Sequence, residues 1–292
     1  MYYDRTISDD FSSLIEDKGQ LRWLFDFVKS RDDLDFLGKN NSKQWISIYR
    51  GLSRVLTINK TAASDKIKLD GAAAYKSIKP KNLYGINSVN KDFQSDLLSL
   101  ITRVSKDHKF DQYYGSKKEG YYQNKISRQY GICGDKNTDF VIIDKEVVIW
   151  YENQIEKDKY LLPIQNHYKQ IQKFISDKNP KRYGSDFSKK SIGNELDFLA
   201  LDKDGNILLI ELKHGTNTQG IYLSPLQIGM YLEIFNNYPT DKLHTAIKNM
   251  LTQKQRIGLI NPSWETNEKF NNIIPVLIIA DYNYNSSAKN KF

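Results

Sequence analysis

The pattern of apolar and polar positions changes period several times along the chain, and each change predicts an element. Gln20 to Lys29, Gln-Leu-Arg-Trp-Leu-Phe-Asp-Phe-Val-Lys, reads as a short helix. Trp45 to Tyr49, Val55 to Asn59 and Lys66 to Leu69 are apolar-rich runs bounded by Gly, Asn and Ser, and read as strands. A helix is expected over 91–106, where Phe93, Leu97, Leu98, Leu100, Ile101 and Val104 form a stripe. The polar stretch 85–90 before it marks an expected boundary between an N-terminal α+β region, 1–88, and a second region, 89–292. Two apolar runs, Phe140 to Ile143 and Val147 to Trp150, flank Asp144-Lys145-Glu146 and read as a hairpin. Pro163 to Ile175 suits a helix with proline near its start. Ser224-Pro225 looks like an N-cap followed by proline at the first helical position. Ile273 to Ala280 reads as a strand, and Pro275 assigns it to an edge or a strand start.

The segment from Gly193 to Gly215 carries most of the chemistry. Two apolar runs, about Glu195 to Asp202 and Asn206 to Lys213, flank Lys203-Asp204-Gly205. Both are apolar on both faces near the turn, as a buried central strand is. Charges return only at the far ends, as Glu195, Asp197, Glu211 and Lys213. A two-residue loop would put Asp197 and Glu211 on opposite faces, because side chains alternate along a strand. A three-residue loop with glycine in the left-handed third position pairs Asp202 with Asn206. Asp197 then faces Glu211 and Glu195 faces Lys213, all on one face. Opposed carboxylates with Cβ atoms roughly 5 Å apart repel unless a cation lies between them. Oxygen ligands suit a hard cation: Mg²⁺ is expected, with Mn²⁺ also acceptable, held by Asp197, Glu211 and the Leu212 carbonyl. Lys213 shares that face and can position water and offset phosphate charge. The bland alternative is a hairpin with a salt-bridged, solvated end. In the helix that follows, Gln227 and Tyr231 stand four apart and project from one face.

Composition narrows the partners. The chain has 292 residues, long enough for one large or two modest domains. No apolar run approaches the roughly 18 residues a membrane span needs, and no leader-like segment opens the chain. One cysteine, Cys133, excludes an internal disulfide framework and a Cys-rich zinc site. A cytoplasmic protein is therefore expected. Lys and Arg total 43 against 35 Asp and Glu, a net charge of +8, which favours a polyanion as partner. A basic loop with Lys178, Lys181, Arg182, Lys189 and Lys190 would meet its backbone. No phosphate-binding Gly-rich loop ending in Lys-Ser/Thr is present, so no nucleotide cofactor is expected. The Tyr and Lys mixture from Tyr113 to Arg128 could clamp a nucleic-acid strand, but packing of its tyrosines is slightly favoured.

Asp197, then Glu211-Leu212-Lys213 across a hairpin, then Gln227-x-x-x-Tyr231, resembles the PD-(D/E)xK nuclease superfamily. The order of Gly193, Asp197, Ile210-Glu211-Leu212-Lys213 and Gln227 to Tyr231 is most similar to its RecB-like and NucS-like branch. The resemblance covers only residues 193–231. It implies a restriction-endonuclease-like αβββαβ core with a mixed sheet flanked by helices. It also implies Asp197 and Glu211 as metal ligands, Lys213 as the catalytic lysine, and Gln227 and Tyr231 as accessory residues. The family often has a further acid on its first core helix; Pro163 to Ile175 offers none, and Glu195 is a substitute from the strand. The expected function is a metal-dependent endo- or exonuclease acting on phosphodiesters, in DNA first. A homodimer is compatible with cutting both strands. The alternative is an inactive nucleic-acid-binding module, or an interaction subunit, with the same fold.

Overall fold

The computed structural model describes residues 1–40, 44–60, 67–70, 95–96, 98–99, 102–103, 106, 114, 117–183, 187–193 and 195–285. The boundary expected at 85–90 lies outside them, and so does most of the helix expected over 91–106. By its internal contacts the chain divides into two units: Met1–Tyr3, Asp144–His244 and Thr266–Phe292 form one, Asp4–Ile143 and Thr245–Glu265 the other.

In the second of these units, α1 (Asp9–Ser12) and α2 (Arg22–Lys29) precede an antiparallel sheet of β1 (Asp35–Asn40), β2 (Gln44–Arg50), β3 (Ser53–Lys60) and β4 (Ile67–Asp70), in that spatial order. Phe36, Ile46, Ile48, Val55, Leu56 and Ile58 bury against Phe11, Leu24, Phe25 and Val28. Strand β1 escapes a reading by pattern because Gly38-Lys39-Asn40 looks like a turn, although Lys39 is buried. Helix α3 (Glu119–Gln129) follows. Its Arg128 is buried and donates to the carbonyls of Val28 (2.9 Å), Leu34 (2.7 Å) and Lys29 (2.8 Å). That guanidinium caps the C-terminal end of α2, so Arg128 is committed to the fold, while Tyr114, Tyr121 and Tyr122 are half-buried.

The other unit is built on a mixed sheet ordered β5-β6-β7-β8, comprising β5 (Phe140–Val147), β6 (Leu196–Asp202), β7 (Ile207–His214) and β8 (Ile273–Ala280). Strand β5 runs on into this unit as one strand, not the hairpin its polar triplet predicts. Asp144 and Lys145 are buried, and the Tyr3 hydroxyl donates to Asp144 Oδ2 at 3.2 Å. Beyond it, Trp150 forms a paired bridge with Tyr2 through two backbone bonds, of 2.7 and 2.9 Å. Helix α4 (Gln154–Lys178) starts nine residues before Pro163. Asn153 caps it by accepting from the Glu156 N–H at 2.9 Å, while Glu156 accepts from the Glu152 N–H at 2.7 Å. Unlike a capping box, the carboxylate reaches back past the cap to the residue before it. Pro163 lies on the exposed side, where the carbonyl deprived of its donor meets water.

After α4 come α5 (Pro180–Tyr183) and a 3-10 turn at Phe187–Lys189, so the expected basic loop is partly helical. Helix α6 (Thr218–Asn236) packs on β7, β8 and α4. It too starts earlier than expected: Asn217 is its N-cap, accepting from the Gly220 N–H at 3.0 Å. Pro225 is therefore interior and removes the donor for the Ile221 carbonyl, a gap filled by the Ser224 hydroxyl at 2.7 Å. Helix α7 (Thr240–Ile257) leads out of this unit. Strand β8 closes the sheet in parallel with β7, at an edge. The carbonyls of Asn272 and Ala280 point to β7, bonded at 2.8 and 2.7 Å. Pro275, of opposite parity, aims its missing N–H outward, where no ladder bond is lost.

Candidate active site

The hairpin has the three-residue loop. Asp202 N–H bonds the Asn206 carbonyl at 3.1 Å, and Gly205 N–H bonds the Asp202 carbonyl at 3.1 Å. Gly205 has φ +80°, the left-handed position that the loop requires of its third residue. The antiparallel register pairs Leu201 with Ile207 and Phe198 with Ile210. One step further along each strand, Asp197 stands opposite Glu211.

At that step the backbone ladder gives way to side-chain chemistry. The Leu212 N–H is bonded to Asp197 Oδ2 at 2.7 Å instead of to a main-chain carbonyl of β6. Because a strand residue points its N–H and C=O to the same side, the Leu212 carbonyl also faces towards β6 and Asp197. Glu211 is 1% exposed and Lys213 9% exposed, and the Lys213 ammonium is ion-paired with Glu211 Oε1. Alternation puts these two side chains on one face and Leu212 on the other, in the apolar core.

Helix α6 brings Tyr231 to the same place. Its phenol is raised well above the ordinary range, first by burial and then by the charges of Glu211, Asp197 and Glu195. The Gln227 amide works weakly in the opposite direction. Among the described residues the Tyr231 hydroxyl has no hydrogen bond of good geometry, so the Gln227 contact is a near approach. Gly193, at φ +97°, lets Gln227 lie against the backbone just before β6: a Cβ there would stand 2.5 Å from Gln227 Nε2. Six expected residues, Glu195, Asp197, Glu211, Lys213, Gln227 and Tyr231, thus converge on one end of the sheet. Glu195 is the exposed member of the group.

Protein-family models, curated proteins and solved structures give no match to the chain.

Among the described residues no group of three His, Cys, Asp or Glu side chains is placed to hold a metal ion. The donors at hand are two carboxylates and a main-chain carbonyl. Lys178, Lys181, Lys189 and Lys190 are exposed. The buried Gln172 amide ties their segment to α4, donating to the carbonyls of Phe187 at 2.6 Å and Lys190 at 3.0 Å. The side chain of Arg182 lies outside the described residues. His214 alternates to the face opposite Lys213; its Nδ1 lies 2.8 Å from Thr216 Oγ1 and its Nε2 3.5 Å from Asp281 Oδ2. Gly193 stands at the head of the motif read from the sequence, but its role in making room for Gln227 is visible only once the helix is placed.

Proposed function

We propose that the chain is a metal-dependent nuclease that hydrolyses phosphodiester bonds, in DNA first. The observation that carries this reading is Asp197 opposite Glu211 at the end of a buried hairpin, with Lys213 and Tyr231 beside them. A hard divalent cation, Mg²⁺ or Mn²⁺, fits oxygen donors of this kind: Asp197, Glu211 and the Leu212 carbonyl would hold it. Once bound, it would supply Lewis acidity to a phosphodiester and lower the pKa of water. Lys213, now engaged by Glu211, would be released as the cation takes over that carboxylate, and could then orient water or offset phosphate charge. Tyr231 stays protonated and acts as a donor. The order of elements supports the fold implied by the resemblance. From α3 the chain runs α3, β5, α4, α5, β6, β7, α6, α7, β8, an αβββαβ order with α4 and α5 inserted after β5 and α7 inserted before β8.

The test is cleavage of plasmid, linear duplex and single-stranded DNA, each with EDTA, Mg²⁺ or Mn²⁺. Asp197→Ala and Lys213→Ala are expected to lose about 100-fold or more of the cation-dependent rate while keeping the wild-type circular dichroism. Full activity in both folded variants would overturn the reading.

One observation favours a second reading, a nucleic-acid-binding module of the same architecture. The Lys213–Glu211 ion pair already neutralises one carboxylate without a cation. Calorimetry separates the two readings, since the binder gives no heat with Mn²⁺ in the presence or absence of DNA.

A further inference from the structure

Helix α4 presents an outward face unlike that of an ordinary solvated helix. Of its 25 residues only Ile164, Gln172 and Ser176 are buried. Tyr160, His167 and Phe174 recur at seven-residue intervals. Two helical turns separate each from the next, so they form one stripe with about 10.5 Å between neighbours. All three are exposed, Tyr160 at 38% and Phe174 at 61%. Cations accompany the rings. The Lys159 ammonium lies 5.1 Å from the Tyr160 ring centroid and that of Lys178 5.7 Å from the Phe174 centroid. Lys178 closes the helix beside Phe174; exposed Lys181 follows on α5, with exposed Lys189 and Lys190 on the segment that Gln172 fastens to the helix.

Each half of this pattern selects something different. Lysines alone serve any phosphate backbone, paired or unpaired, through counterion release. Exposed rings contribute only when flat apolar faces stack on them, and a duplex keeps its base faces inside. We propose that the α4 stripe binds single-stranded nucleic acid, with unpaired bases stacking on Phe174 and Tyr160 and phosphates at Lys178, Lys181, Lys189 and Lys190. The proposal rests on the nuclease reading and deepens it, by making unpaired or frayed strands the preferred substrate over intact duplex.

The test uses the full chain in EDTA, so that binding is read without cleavage. Fluorescence anisotropy would be followed with a labelled oligothymidine and with a blunt duplex of the same length. The expected result is tighter binding of the oligothymidine. Phe174→Ala should weaken it ~10-fold and leave the duplex affinity unchanged, while Phe174→Trp preserves it. Lys178→Ala with Lys181→Ala should weaken both ligands and flatten the salt dependence. Phe174 is exposed, so its variants are expected to fold, and circular dichroism checks this. Oligothymidine affinity unchanged in folded Phe174→Ala, or equal affinity for both ligands, would overturn the proposal. If cation-dependent cleavage is nonetheless lost in Asp197→Ala, the nuclease reading stands and only the single-strand preference falls; binding of neither ligand likewise overturns the stripe proposal, while the cleavage assay decides the nuclease reading by itself.

Discussion

At the scale of single residues, the site is a problem of buried charge. Glu211 is almost completely enclosed, and a carboxylate there is tolerated because the Lys213 ammonium lies on it. Removing one partner of such a pair costs far more than the pair contributes as a whole, because the remaining charge keeps its desolvation penalty. Lys213→Ala is therefore expected to lower the urea-unfolding free energy by about 3 kcal/mol in EDTA. Adding Glu211→Gln to that variant should recover most of the loss, since a neutral amide tolerates the same enclosure. Mn²⁺ should stabilise Lys213→Ala more than it stabilises the wild type, because the cation no longer competes with the lysine for Glu211. Equal stabilisation of both proteins would mean that the cation does not reach this carboxylate.

At the scale of elements, the two helices around the sheet show why proline misleads a reading by pattern. Pro163 and Pro225 both look like first-turn residues, yet each lies inside a helix capped further upstream, by Asn153 and Asn217. In α6 the defect is repaired locally by the Ser224 hydroxyl on the Ile221 carbonyl. Ser224→Ala should cost about 1 kcal/mol by denaturant titration, since it leaves a buried carbonyl without that donor. In a Pro225→Ala background the same substitution should cost markedly less, because the backbone N–H returns to serve Ile221. Additive effects of the two substitutions would sink this account. The hairpin was legible for the opposite reason. Gly205 in a three-residue loop fixes the register by turn geometry, and the register then fixes which charges meet. Strand β5 was not legible, because Asp144 of its polar triplet is buried against a tertiary partner, Tyr3, that lies 141 positions away. The reason for Gly193 belongs to the same class: the residue stands in the motif, but the approach of Gln227 that requires it is packing between distant segments and leaves no local trace.

At the scale of the whole molecule, titration follows from where the phenols sit. Tyr114 in one unit and Tyr151 in the other are each pushed up to about 12, chiefly by burial, with Asp33 adding to the effect on Tyr114 and Glu156 to that on Tyr151. Tyr231 is shifted in the same direction, by burial and then by the three carboxylates around it. An unfolded tyrosine titrates near pH 10. Above that pH the unfolded chain has released protons that the folded chain still holds. The stabilising contribution of these phenols is thus fully present below pH 10 and declines as pH rises through 10 towards 12. Thermal melts between pH 8 and 11.5 should show a falling midpoint from about pH 10. Absorbance at the phenolate band should then rise in step with unfolding. Tyr231→Phe removes one linked proton and should flatten the alkaline decline. A Tyr231→Phe profile parallel to that of the wild type throughout this range would show that Tyr231 is not enclosed with the carboxylates, and the convergence of α6 on the hairpin end would fall with it.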